Sequence, residues 1–170
     1  MNKNDLRFQK TEIAIKQAYL SLKKHGSIAV KVKDLCDAAM INKTTFYAHY
    51  ETVEHLHKEI CNEFVSNVLK ASNGVEQFGK DTRASIYSIL ESFKRNMSSI
   101  QKLYGDNLDE FVNDFERLFL KSFLADNADE DYALAMRFCI GGAFRLLVDE
   151  KDPTRIDKTL ILVEKVLYSK

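Results

Sequence analysis

The nine residues Asn42-Lys43-Thr44-Thr45-Phe46-Tyr47-Ala48-His49-Tyr50 hold hydroxyls, an amide, a cation and three aromatic rings, and no acid. That inventory suits a short helix reading a phosphate-lined groove, where amides and hydroxyls meet base edges and cations meet phosphate oxygens. Phe46 and Tyr50 lie four apart, so both can face inward while Asn42, Lys43, Thr44, Tyr47 and His49 spread over the other side. Asn42, Lys43, Thr44 and Thr45 are the residues expected at base edges, because the start of a recognition helix points into the major groove. Lys10, Lys31 and Lys33 would add affinity that does not depend on sequence.

Other chemistries find less support. The chain has no glycine-rich phosphate loop and no nucleophile elbow, and all four histidines precede residue 58, so no catalytic constellation assembles and no enzyme is expected. His57 and Cys61 have metal-ligand spacing, but two ligands are not a site. The plain alternative is a wet histidine beside a buried thiol, and neither metal nor cofactor is expected.

Elements that would position the 42–50 stretch are legible on both sides of it. Upstream, Val32, Leu35, Cys36 and Ala39 recur at spacings of three and four, giving a short amphipathic helix that ends at Ala39-Met40. The order is therefore helix, tight turn, helix. A first helix is predicted from Gln9 to His25, with Ala14, Ile15, Ala18 and Leu22 inward and Gly26 closing it. Residues 1–8 are polar and predicted to form a loose arm. At the second helix, Asp34 in the first turn suits the positive end, and free backbone N–H groups with Lys31 and Lys33 make a phosphate seat.

Gly26, Val32, Leu35-Cys36, Ala39-Met40-Ile41-Asn42, Thr45 to Tyr50 and Glu54-His55-Leu56 together resemble the DNA-binding domain of the tetracycline-repressor (TetR) family of bacterial regulators. The resemblance covers about residues 8 to 60 and is most specific from Phe46 to Tyr50. It implies that Tyr47 and His49 hold phosphates, and that the rest of the chain is a domain for dimerisation and effector binding. Three positions depart from the family's pattern. Met40 stands where a glycine is usual in a left-handed turn, at a cost of about 1 kcal/mol. Lys31 replaces a capping threonine, worth about 1 kcal/mol, and Val53 replaces a lysine expected to touch a phosphate. These departures keep a second reading open, an adaptor whose DNA binding has decayed and whose bundle engages a protein partner.

At 170 residues the chain can build one or two small cores. Apolar content of 45% with a single proline and six glycines favours helices over disorder, and no strand pattern or repeat appears. The predicted architecture is all-α, with an N-terminal three-helix helix–turn–helix domain over 1–52 and a helical regulatory bundle over 53–170. Net charge is zero, yet residues 1–58 hold ten Lys/Arg against six Asp/Glu, a local +4. A basic end that meets a polyanion is the reading this asymmetry supports. Cys36, Cys61 and Cys139 read as small buried thiols in a reducing cytosol. No apolar stretch approaches the ~18 residues needed to cross a bilayer, so a cytoplasmic location without membrane contact is expected.

In the bundle, helices are predicted over Val53–Ala71, from the cap Asp81 to Met97, briefly over Ser98–Tyr104, from a cap at Asp106 or Asn107 to Phe123, over Asp129–Glu150, and from Thr154 to Tyr168 behind the cap Asp152. The last two carry an apolar stripe wide enough for two partners. With Gly141 and Gly142 permitting close approach, Phe144, Leu147, Leu160, Val163 and Leu167 are expected to pack on a second copy as a four-helix bundle. Tyr87, Asn96, Tyr104, Asn113 and Arg137 are polar groups that could enclose a small-molecule effector, or could equally satisfy one another or face water. The expected partners are thus double-stranded DNA, a second copy and an unidentified effector.

Overall fold

A computed structural model describes residues 5–23, 29–73, 76, 80–124, 134, 137–138, 141–143, 145–146 and 152–168. Among them the structure is all-helical, without a strand, and no helix is long and apolar enough to cross a membrane. The elements are α1 (Leu6–Leu22), α2 (Val32–Ala39), α3 (Lys43–His49), α4 (Val53–Ser72), α5 (Thr82–Tyr104), α6 (Leu108–Leu124) and α7 (Pro153–Tyr168).

Helix α1 starts earlier than Gln9 because the Asp5 side chain accepts from the Arg7 N–H at 2.9 Å. Phe8 is consequently buried and not part of a loose arm. The helix also ends at Leu22, not His25, where Lys23 turns extended (φ −67, ψ 105) while its N–H still donates to the Tyr19 carbonyl. The Gly26 closure falls outside the described residues. Between α2 and α3 the chain turns at Met40, whose φ of 53 lies in the left-handed region. There the Ile41 N–H donates to Cys36 and the Met40 N–H to Asp37, closing α2 with a Schellman motif. Met40 is 94% exposed and gains little packing in return for its strain. Met40→Gly should therefore raise folding stability by about 0.5–1 kcal/mol. The urea midpoint should rise with an unchanged slope, and a lower midpoint would contradict the assignment.

Helix α5 is unbroken, so the separate helix expected over Ser98–Tyr104 does not exist. Ile100, Leu103 and Tyr104 extend the stripe of Ile86, Ile89, Leu90 and Phe93, and that burial outweighs the weak propensity of Ser98-Ser99. Asn107 begins α6 by accepting from the Glu110 N–H, and Asp152 begins α7 by accepting from the Thr154 N–H at 2.9 Å. In the bundle core, Phe93 meets Phe111 and Phe115 edge-on, with centroids 5.0 and 4.8 Å apart. Such pairs add about 0.5–1.5 kcal/mol each beyond the area they bury.

One contiguous core runs from Ile15, Leu35 and Phe46 through Leu56, Ile60 and Val65 on α4 to Ile89, Phe115 and Leu160. Helix α4 thus belongs to both halves. Two polar fasteners tie α1 to it. Lys16 Nζ contacts Glu12 at 2.8 Å and, across the seam, Glu59 at 2.7 Å and Glu63 at 2.5 Å. Burial works against the Lys16 charge, but bonds to Glu12, Glu59 and Glu63 outweigh it and hold the ammonium well above the usual lysine range. The second fastener pairs the Tyr19 hydroxyl with His57 Nδ1 at 2.9 Å.

The helix predicted over Asp129–Glu150 lies mostly outside the described residues, including Phe144 and Leu147, but 134, 137–138, 141–143 and 145–146 are helical. A Cβ on Gly141 would lie 2.9 Å from the Glu116 carboxylate, the mobile end of a side chain, and one on Gly142 would meet open space. Among the described residues, Gly141 is thus approached by a side chain of α6 and Gly142 by nothing. Leu160 and Val163 are buried in the chain's own core on the same side of α7 as Ile156. Leu167's side chain falls outside the described set. Among the apolar residues left uncovered in these segments are Phe138, Leu146, Leu162 and Val166. With Gly142, Ala143, Thr159 and Val163 they line a groove of about 380 Å³.

Candidate nucleic-acid interface

Everything at this surface hangs on two buried rings. Phe46 is fully buried and Tyr50 nearly so, and Tyr50 donates from its hydroxyl to Glu59 on α4 at 3.2 Å. They root α3 so that its other side faces out. Asn42 precedes α3 in extended conformation, and its side-chain oxygen accepts from the Thr45 N–H at 2.7 Å and the Thr45 hydroxyl at 2.9 Å. The cap fixes where the helix starts, at a gain of about 1 kcal/mol. It also commits Asn42 Oδ1 and Thr45 Oγ1 to each other. Of the four residues expected at base edges, Lys43 and Thr44 are exposed without a hydrogen-bond partner among those described, while Asn42 keeps only its NH₂ free.

Tyr47 is 56% exposed and rests edge-on against Phe46, with centroids 5.4 Å apart, so its phenol stands at a fixed angle from the surface. Lys31 occupies the cap position of α2 without a side-chain bond, as its residue type predicts, and Asp34 stands in the first turn. Lys31, Lys33 and Lys10 are all exposed.

His49 is placed otherwise. Its ring stacks on Phe8 of α1, with centroids 3.8 Å apart and planes 21° from parallel, and both ring nitrogens are buried without a partner. A phosphate could reach it only after Phe8 moved. The signal missed in the sequence was Phe8, an aromatic in a segment otherwise reading as a polar arm.

Burial is the largest influence on both His49 and His57 and holds each below the ordinary histidine value. The folded chain then binds fewer protons than the unfolded one. Their contribution is present above about pH 6.5, the unperturbed histidine value, and is lost as pH falls below it. The thermal midpoint should drop on acidification from neutrality toward pH ~5, where carboxylates still carry charge. A midpoint that stays level or rises over that interval would contradict the burial of these rings.

The five candidate effector residues do not converge. Tyr87 donates to Asp157 on α7 at 2.7 Å, Asn96 to its own helix at Ser92, and Tyr104 to Asp114 on α6 at 3.1 Å. Asn113 accepts from Arg145, and Arg137 is exposed. Tyr87 and Tyr104 lie on one straight helix about 25 Å apart at 1.5 Å per residue, too far to wall one small molecule.

Among the described residues, one group of metal-type ligands lies close enough to share an ion: Glu12, Glu59 and Glu63, within 4.8 Å of one another. The Lys16 ammonium already fills that position. Comparison of the chain with protein-family models and with curated proteins finds no match.

Proposed function

We propose that this chain is a DNA-binding transcriptional regulator of the tetracycline-repressor type, acting as a homodimeric repressor on a near-palindromic operator in the cytoplasm. The observation that carries the reading is α3 itself. A seven-residue helix is pinned by Phe46, Tyr50 and the Asn42 cap. It presents Lys43, Thr44 and Tyr47 outward, beside Lys31 and Lys33 at the open start of α2. Phosphate contacts from Tyr47 and the flanking lysines would set register, and Lys43 and Thr44 would read bases. The local excess of positive charge over residues 1–58 supplies attraction that weakens with salt.

A single α3 reads one short half-site, so a second copy is needed for useful specificity. The groove of Phe138, Leu146, Leu162 and Val166 supplies the surface for it, with Gly142 open at its floor. In this reading Gly142→Leu obstructs the approach.

The division of labour on α3 provides the test. Lys43→Ala should cost about 1–3 kcal/mol on a selected duplex and relax sequence preference. Tyr47→Phe should weaken binding to all duplexes alike, because a phosphate contact carries no sequence information. Equal losses on selected and random duplexes for both variants would overturn the assignment.

A further inference from the structure

Of the two fasteners between α1 and α4, one is a fixed ion cluster and the other passes through a titratable ring. Tyr19 is buried, and its hydroxyl lies 2.9 Å from His57 Nδ1. Cys61 Sγ lies against the same ring, 3.7 Å from Nδ1 and 3.6 Å from Nε2. On the α5 side the Tyr104 ring meets the His57 ring edge-on, with centroids 6.5 Å apart; its hydroxyl donates to Asp114 at 3.1 Å, and Arg117 holds the second Asp114 oxygen at 2.8 Å. The series begins on α1, crosses α4 and α5, and ends on α6. A neutral imidazole with its hydrogen on Nε2, the tautomer assigned from Tyr19, leaves Nδ1 free to accept. The Tyr19 O–H then donates to Nδ1.

We propose that His57 is a proton-operated release between the α1–α3 head and the bundle. A proton taken from solvent onto Nδ1 turns that atom from acceptor to donor. The Tyr19 bond must then reverse, and the Tyr19 hydroxyl hydrogen loses its acceptor at a part-buried seam. Helix α1 loosens from α4, and α3, which is stacked on α1 through Phe8 and His49, loses its fixed placement. The groups facing His57 are Tyr19 and Lys23 from α1 and its cap, Glu54 and Cys61 from α4, Tyr104 from α5, and Glu110 and Asp114 from α6. Burial and Lys23 oppose the proton, while Glu110, Asp114 and Glu54 favour it. Those carboxylates give a charged ring somewhere to turn, which makes the loosened state reachable and not simply unfolded.

The consequence for DNA rests on the function proposed above; the loosening of α1 does not. The test is backbone amide exchange on the full chain at about pH 7.5 and pH 5.5, either side of the ordinary histidine range, corrected for intrinsic rates. Wild-type protection in α1 should fall about tenfold relative to α5 on acidification. His57→Gln should abolish that fall, and His49→Gln, which removes the other buried ring, should keep it. Should His57→Gln not fold, Tyr19→Phe serves, with α1 loosened at both values and insensitive to pH. An α1 fall no larger than that of α5, or one kept in full by His57→Gln or Tyr19→Phe, would overturn the proposal.

DNA affinity gives a second and opposite-signed readout. Added positive charge alone strengthens binding to a random duplex at lower pH, whereas release weakens it about tenfold in wild type and not in His57→Gln. Release of α1 in a chain that binds no duplex at either pH supports the switch and refutes the DNA-binding reading. Tighter binding at low pH in both proteins refutes the switch's effect on DNA.

Discussion

Lys16→Met is expected to lower folding stability by about 2–3 kcal/mol, below the range for a fully buried pair because Glu63 is half exposed. The loss is not that of one salt bridge. Lys16 is a single cation serving Glu12, Glu59 and Glu63, whose carboxylate oxygens lie within 4.8 Å of one another. Without it three like charges remain in a half-buried seam where screening is poor. The sign of the pH dependence should also change. In wild type, burial pushes the Glu59 carboxyl up but bonds from Lys16 prevail and hold it below the usual carboxylate value, so stability is lost as pH falls through that value. In Lys16→Met, mutual repulsion raises the carboxyl values, so the folded state binds more protons and acid should add stability between neutrality and pH ~4.5, above the range where the wild-type carboxyl loses it. Urea midpoints at pH ~7 and ~4.5, which bracket the raised carboxyl values expected of the variant, decide the matter: the variant's loss relative to wild type should shrink at the lower pH. Parallel pH profiles for the two proteins would show that the cluster does not couple α1 to α4.

Leu162→Glu should dissociate the proposed dimer almost completely. Leu162 is 62% exposed on α7 and borders the groove with Phe138, Leu146 and Val166. A two-fold interface presents each substitution twice. If burying an unpaired carboxylate costs about 3 kcal/mol per copy, the dimer Kd rises on the order of 10⁴-fold. Folding of the single chain should be unaffected, since the side chain is outside the core. Light scattering at micromolar concentration should give a dimer for wild type and a monomer for Leu162→Glu, with loss of tight duplex binding. A monomeric wild type would remove the groove as a dimer surface.

How much of this was legible in the sequence varies with how local the signal is. Phe46 and Tyr50 facing inward, the missing cap at Lys31 and the Asp152-Pro153 start of α7 are all set within a few residues, and each stands as its residue types dictate, whereas the left-handed turn at Met40 was legible only through the family resemblance. What spacing could not reveal was which partner a group chooses across the fold. His49 reads as outward until Phe8 covers it. Leu160 and Leu162 belong to one apolar helix, yet only Leu160 is turned to the chain's own core. Tyr104 reads as a pocket group until Asp114 takes its hydroxyl. Lys16, unremarked in the sequence, becomes the centre of a seam because two of its acids are brought from α4 by the fold.

The central claim is that α3, presented twice by a symmetric dimer, reads DNA sequence. Selection of bound duplexes from a random pool by the full chain tests it most directly. The account predicts enrichment of a two-fold symmetric sequence with half-sites about one helical turn, ~10 base pairs, apart, and collapse of that enrichment for Lys43→Ala. A pool that emerges from selection no different from its starting composition would contradict it.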